Sequence, residues 1–184
     1  MTVWRQSLLF NGNGYTVYND FDGTLLFRVD NYACNRKQGM FLMDSSGHVL
    51  FTICRRSSRH RKVLLQKLSI LERWEAFKGD KEVEPYGLPP KPFMIATKAF
   101  SNPSCSITVA TGDKYLIKWS CREGWSKILP AAAAATLPIA QISRKFGTAP
   151  ESSSLGKDVF TLTMQPMVDQ AMVMAMVMIS DAMR

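Results

Sequence analysis

Residues 171–179 are Ala-Met-Val-Met-Ala-Met-Val-Met-Ile, nine consecutive apolar side chains bounded by Asp169 and Asp181. Alanine and methionine favour helix, Pro166 lies shortly upstream, and Asp169 suits the first turn because it complements the positive end of the helix dipole. A helix needs about 20 apolar residues to span a bilayer, so this segment is too short. A helix that is apolar on every side must be surrounded by protein. We therefore expect a helix buried in the protein's own core, in preference to a membrane segment or a partner-docking segment.

In the rest of the chain, short β-rich runs alternate with turn signals, which is typical of a series of β-hairpins. Asp22-Gly23 lies between two β-rich runs, and glycine accepts the positive φ that tight hairpin turns require. Comparable turn signals are Asn11-Gly-Asn-Gly14, Ser45-Ser-Gly47 and Thr111-Gly-Asp113. The strand candidates are residues 15–18, 24–30, 39–44, 48–54, 93–100, 104–110, 114–120, 139–146 and 159–164. Short strands at close spacing, with no amphipathic helix between them, predict a meander that closes as a barrel or a sandwich.

Three stretches have less regular patterns. Residues 63–77 mix the helical and the strand period. Residues 84–92 contain four prolines and are predicted to be an irregular connector. The alanine run, residues 131–135, has helical propensity, but it is short and lies between Pro130 and Pro138, so a loop is an equal alternative.

Composition indicates an ordinary globular chain. Its 184 residues are 46% hydrophobic and 21% charged, and this length suits one domain, taken as residues 1–184, with a core that needs no disulfides. Cys34, Cys54, Cys105 and Cys121 match neither zinc-site spacing nor a dense disulfide framework. Residues 1–10 lack the apolar core of a secretory signal. We expect reduced, buried thiols in a cytoplasmic protein.

Positive charge is concentrated in one part of the chain. The net charge is +8, and residues 45–71 contain six basic side chains and no Asp or Glu. These six are Arg55, Arg56, Arg59, Arg61, Lys62 and Lys67. A local basic patch indicates an anionic partner, which is a lipid headgroup, a nucleic acid or an acidic protein. The alternative is a solvated loop that has no partner.

No motif of a known catalytic site is present. The two histidines are His48, beside a turn glycine, and His60, inside the basic segment. The nucleophile elbow, the metalloprotease helix and the phosphate-binding loop are all absent from the sequence. Gly12-Asn-Gly14 lacks the third glycine and the following helix of a dinucleotide site. We expect a binding protein and not an enzyme, with no catalytic residue, no metal site and no cofactor.

Five stretches together resemble one plant family. They are Tyr15-Thr-Val-Tyr-Asn-Asp-Phe-Asp-Gly-Thr-Leu-Leu-Phe-Arg-Val-Asp30, Gly47-His-Val-Leu-Phe-Thr-Ile-Cys-Arg-Arg56, Glu72-Arg-Trp-Glu-Ala-Phe-Lys-Gly-Asp80, Leu155-Gly-Lys-Asp-Val-Phe160 and the expected helix from Asp169 to Asp181. In this order they resemble the LURP-one-related proteins, whose fold is similar to the C-terminal domain of tubby-like proteins and to phospholipid scramblases. The resemblance implies an all-β closed barrel of about 12 antiparallel strands, without exposed edges, around a hydrophobic C-terminal helix. Residues 119–140 depart from the family pattern.

The resemblance also implies a binding function. In the related tubby domains, basic residues on the barrel face engage phosphoinositide headgroups, and the counterparts in location are Arg55, Arg56, Arg59, Arg61 and Lys62. We expect a monomer that tethers peripherally to anionic phospholipid at the plasma membrane, in plant defence or stress responses. The alternative is a module for a signalling protein, or a transcription-related regulator in the nucleus, without lipid binding. A nucleic-acid partner is not expected, because no DNA-binding motif accompanies the basic segment.

Overall fold

A computed structural model describes residues 1–5, 14–34, 37–56, 71–80, 91–99, 104–120, 124–132, 137–145 and 158–183. These residues form a closed barrel of twelve antiparallel strands and one helix, α1 (Gln170–Ala182). The strands are β1 (Thr2–Trp4), β2 (Gly14–Tyr18), β3 (Leu25–Cys34), β4 (Lys37–Asp44), β5 (Val49–Arg55), β6 (Leu71–Lys78), β7 (Met94–Ala99), β8 (Ser104–Val109), β9 (Lys114–Ser120), β10 (Trp125–Pro130), β11 (Ala140–Arg144) and β12 (Val159–Met164). Each strand pairs with its neighbours in the chain, and β1 pairs with β12 to close the barrel. The expected all-β closed barrel with a C-terminal helix is confirmed.

Helix α1 is buried along most of its length. Residues 173–180 are all buried, and the side chains of Met174, Met176 and Ile179 have no exposed surface. Asp169 caps the first turn, since its carboxylate accepts a hydrogen bond from the backbone N–H of Met172 at 3.0 Å. The helix continues to Ala182, three residues beyond the predicted apolar run. No helix in the described ranges combines the length and the hydropathy needed to cross a bilayer.

The strands supply the apolar surface that surrounds α1. In β8 the burial alternates, with Cys105, Ile107 and Val109 buried and Ser106 exposed, as the period of two in a strand requires. The inward side chains of the strands form one cluster with the helix. Full burial of each large apolar side chain contributes roughly 1.5–3 kcal/mol. Helix and barrel therefore stabilise each other through one shared core.

Cys105 behaves as a small apolar core residue. It is a buried thiol within the core cluster, whereas Cys54 is half-buried and lies outside that cluster. Burial raises the pKa of the Cys105 thiol to about 12, so the group stays neutral over the physiological range. The side chains of Cys34 and Cys121 lie outside the described part of the chain.

The turn glycines lie where the sequence predicts them. Gly23, Gly47 and Gly112 have φ angles of 71°, 89° and 95°, which glycine adopts without the steric cost of a Cβ atom. Two strands were not predicted from the sequence: β1, which has three residues, and β10. In the stretch of mixed periodicity, residues 71–78 form β6, and residues 63–70 lie outside the described ranges. Most of the proline-rich connector and of the alanine run also lies outside them.

The antiparallel order places the strand ends alternately at two ends of the barrel. We define the upper end as the one where α1 begins, which it shares with the β2–β3, β4–β5 and β8–β9 turns. The lower end is the one where α1 terminates. It is shared by the last residues of β5 and the first residues of β6, so residues 57–70 connect two strands at this end.

A charge placed inside the barrel tests the burial of α1. We expect Met176→Lys to prevent folding, because an uncompensated buried ammonium costs several kcal/mol and a domain of this kind is stable by only about 5–15 kcal/mol. The matched control is Met167→Lys, since Met167 is a fully exposed residue just before the helix. The yield of folded protein and the thermal unfolding midpoint are measured for both. A Met176→Lys protein that unfolds at the wild-type midpoint would contradict the burial of the helix.

Candidate functional site

Charge is distributed unequally between the two halves of the barrel. Arg28, Asp30, Lys118 and Lys127 lie in the middle of the wall, and the other charged side chains that the structure describes fall into two groups. The upper half carries Asp20, Asp22, Asp44, Asp80, Asp113 and Asp169 with Lys78, Lys91 and Lys114. The lower half carries Arg5, Arg55, Arg56, Arg73, Lys98, Arg144 and Lys145 with Glu72, Glu75, Asp158 and Asp181. The two groups meet at Asp20, whose carboxylate lies 3.2 Å from the ammonium of Lys145 and 2.9 Å from the N-terminal ammonium. On balance, the described side chains make the upper half acidic and the lower half basic.

Some of the lower basic side chains hold the end of α1. The last turn of α1 contains no basic residue of its own, although its free carbonyl groups carry the negative end of the helix dipole. The barrel supplies the missing cations from two sides. Lys98 of β7 donates to the carbonyl oxygen of Met183, and its ammonium lies 4.9 Å from the ring centroid of Trp119. Arg5, which follows β1, donates to the carboxylate of Asp181.

Tyr15 makes a second contact with Asp181 at the end of α1. Its hydroxyl donates to the second carboxylate oxygen of Asp181, beside Arg5. Burial, reinforced by the charge of Asp181, raises the pKa of Tyr15 above its usual value, so the hydroxyl remains a donor. Burial by itself lowers the pKa of the Arg5 guanidinium, but the charges and hydrogen bonds of Asp181 and Tyr15 together outweigh burial and raise that pKa, so Arg5 stays charged. The small adjoining cavity, about 30 Å³, has room for one water molecule.

The neighbouring residues Arg55 and Arg56 project to opposite faces of the barrel wall. Arg55 follows the inward positions of Phe51 and Ile53, and its guanidinium lies 3.3 Å from Glu72. The indole N–H of Trp74 donates to the same carboxylate oxygen of Glu72 at 3.2 Å. Arg55 is therefore part of the lower rim around the barrel interior.

Arg56 belongs instead to a cluster on the outer wall. Its backbone N–H donates to the carbonyl of Arg73 at 2.9 Å, which brings the two arginines side by side across β5 and β6. Both guanidiniums contact Glu75: Arg56 Nε lies 3.0 Å from Oε2, and Arg73 Nη2 lies 2.8 Å from Oε1. The side chain of Glu75 is only 4% exposed, whereas those of Arg56 and Arg73 are 56% and 47% exposed. The carboxylate is thus covered, and the two cations face solvent.

The structure locates two of the five predicted binding residues. Arg55 lies at the lower rim and Arg56 on the outer wall, and each is paired with a glutamate. Arg59, Arg61 and Lys62 lie outside the described residues, so their role stays a prediction. Arg73 was missed, although the alternation of acidic and basic residues from Glu72 to Glu75 was visible in the sequence. In the described ranges, no three His, Cys, Asp or Glu residues come close enough to hold a metal ion.

The matching family model and the matching proteins indicate one plant family. The family model described as LURP-one-related matches residues 1–181. Protein LURP-one-related 8 of Arabidopsis thaliana is 34% identical over 185 residues, covering 100% of this chain and 86% of that protein. Protein LURP-one-related 5 of the same plant is 32% identical over 189 residues, covering 98% and 81%. Protein LURP-one-related 11 is 30% identical over 186 residues, covering 96% and 74%. No solved structure gives a significant match.

The contact of Arg5 and Tyr15 with Asp181 is testable through stability. We expect Asp181→Ala to lower the free energy of unfolding by about 1–2 kcal/mol, because the half-buried Tyr15 hydroxyl loses its acceptor and the helix end loses its link to β1. Urea unfolding of the wild type and the variant gives this difference. Asp80→Ala, which removes an exposed acid from the upper half, is the control and should change stability by less than about 0.5 kcal/mol. Equal effects of the two substitutions would argue against this role of Asp181.

Proposed function

The chain belongs to the LURP-one-related family, and from that premise we propose that it is a non-enzymatic module that binds anionic phospholipid headgroups at a membrane surface. The observation that carries the proposal is the division of charge along the barrel axis. An anionic surface attracts the basic lower half and repels the acidic upper half, so the division orients the barrel as well as binding it.

The chain that connects β5 and β6 is itself basic in sequence. From Arg55 to Glu75 the chain contains seven basic residues and two acidic ones. Both acids, Glu72 and Glu75, are already paired with the arginines of the two strands. The connecting residues, 57–70, contribute Arg59, Arg61, Lys62 and Lys67 without any acid. Most of the uncompensated charge therefore belongs to the connection, and the three arginines and two glutamates of the strands add one net positive charge.

The expected strength of the interaction suits reversible attachment. Each basic side chain near an anionic membrane contributes about 1 kcal/mol. Four such residues in the connection provide a tether that is weakened by salt, because exposed charges are screened within about 10 Å at 0.1 M ionic strength. The family resemblance is the sole support for the accompanying proposal that the tether serves defence or stress responses at the plasma membrane.

Two triple variants with equal charge loss test the proposal. The first carries Arg59→Ala, Arg61→Ala and Lys62→Ala, and the second carries Lys78→Ala, Lys91→Ala and Lys114→Ala in the upper half. We expect the wild type to co-sediment with phosphatidylserine and phosphoinositide vesicles at low salt. The first triple should weaken binding roughly 100-fold, which corresponds to about 1 kcal/mol for each charge, and the second should change it less than about threefold.

The second triple variant is the control, because it removes the same number of positive charges from the upper half. No binding of the wild type at low salt would disprove the proposed function. Equal losses for the two triples would show that only net charge matters, and would disprove the orientation of the barrel.

A further inference from the structure

The register of β5 and β6 places two guanidinium groups next to each other on the outer wall. Arg55 is opposite Trp74, so Arg56 comes beside Arg73, joined to it by the backbone hydrogen bond of 2.9 Å. Like charges directly opposite each other across two strands destabilise a sheet unless a counter-charge is present. Glu75, two residues from Arg73 and on the same face, provides that counter-charge.

Glu75 also fixes how the two arginines are presented. One carboxylate oxygen accepts from Arg73 through both Nε, at 3.0 Å, and Nη2, at 2.8 Å, and the other contacts Nε of Arg56. A buried carboxylate held by charged hydrogen bonds is a rigid anchor, and it leaves about half of each arginine side chain in solvent. The pair is therefore preorganised, with one net positive charge, and the N–H donors that Glu75 does not use remain available on two half-exposed guanidiniums.

A phosphomonoester has the chemistry that matches this pair. It carries about −1.5 to −2 charges at pH 7 and three terminal oxygens, which two guanidiniums satisfy together. A phosphodiester or a carboxylate has one charge and two such oxygens, so a single arginine suffices for either. Two arginines positioned by one carboxylate consequently favour the monoester.

We propose that Arg56 and Arg73 form a binding site for a phosphomonoester group, with Glu75 as the positioning residue. This inference rests on the proposed function and adds selectivity to it. Phosphatidylserine attracts the basic half through charge alone, whereas a phosphorylated inositol headgroup also engages the paired guanidiniums. Soluble inositol phosphates carry the same group and bind the same site.

The Glu75→Gln variant distinguishes this site from diffuse electrostatic attraction, because the two mechanisms predict opposite changes in the affinity for phosphoinositide vesicles. The substitution removes one negative charge and so raises the net charge by one. Charge alone therefore predicts tighter binding to every anionic vesicle. The paired site predicts weaker binding to phosphoinositide vesicles, by roughly tenfold, because the guanidiniums lose their anchor. Binding to phosphatidylserine vesicles of matched surface charge should be unchanged or slightly tighter.

The second variant, Arg73→Lys, keeps the charge and removes the planar guanidinium, and we expect it to fold because the position is half-exposed. We expect it to bind phosphoinositide and phosphatidylserine vesicles about equally. Arg144→Lys, the same exchange at another exposed position in the lower half, is the control and should retain the wild-type preference. Thermal unfolding of each variant confirms that it is folded, and if Glu75→Gln fails to fold, Arg73→Lys decides the question.

A titration with soluble inositol phosphate distinguishes failure of the site from failure of the proposed function. The readout is the chemical shift of the Nε–H groups of Arg56 and Arg73 in the full chain. If inositol phosphate changes these chemical shifts but the protein does not bind vesicles, the site is a binding site for a soluble phosphate and the proposed membrane function is wrong. If vesicles bind without preference and Arg73→Lys has no effect, the membrane function stands and the site is overturned. If neither ligand binds, both are overturned.

Discussion

The burial of α1 is the constraint on which the rest of the structure depends. Residues 173–180 offer no polar face to solvent, so the chain must surround the helix on all sides. Twelve antiparallel strands achieve this in a single closed sheet, whose inward side chains form one cluster with the helix. Closure also pairs both edges of the sheet, which removes the exposed backbone groups that promote aggregation. Helix and barrel therefore make one core, and neither has another means of burying its apolar surface.

The enclosed helix also influences the chemistry of the two barrel ends. At its start, Asp169 supplies a carboxylate to the free N–H groups, and at its end Lys98 and Arg5 approach the last turn from the strands. The carboxylate thus complements the positive end of the helix dipole, and the two cations complement its negative end. The dipole acts only over a turn or so, and it does not account for the more distant charges. The concentration of Arg55, Arg56 and Arg73 with the basic connection is consequently a separate feature, for which membrane binding is the proposed explanation.

Much of this fold was predictable from the sequence, because its strongest signals are local. The helix followed from the length and polarity of nine residues, and the hairpins followed from turn glycines such as Gly23. Strand β10 was not recognised, because one of its two buried positions is occupied by the polar Ser126, which interrupts the alternation of apolar and polar residues that marks a strand. The site was only partly predictable for a different reason. The basic segment is visible in the sequence, but the pairing of Arg56 with Arg73 depends on the register between β5 and β6, which no local pattern specifies.

Native-state amide hydrogen exchange tests the shared core of helix and barrel most directly. If α1 and the barrel are one cooperative unit, the amides of residues 173–180 exchange only through global unfolding, with the same free energy as the inward-facing residues of β8 and β12. The account predicts this coincidence at every denaturant concentration below the unfolding transition. Exchange of the helix at a clearly lower free energy, while β8 and β12 remain protected, would contradict it, because the barrel would then persist without its helix.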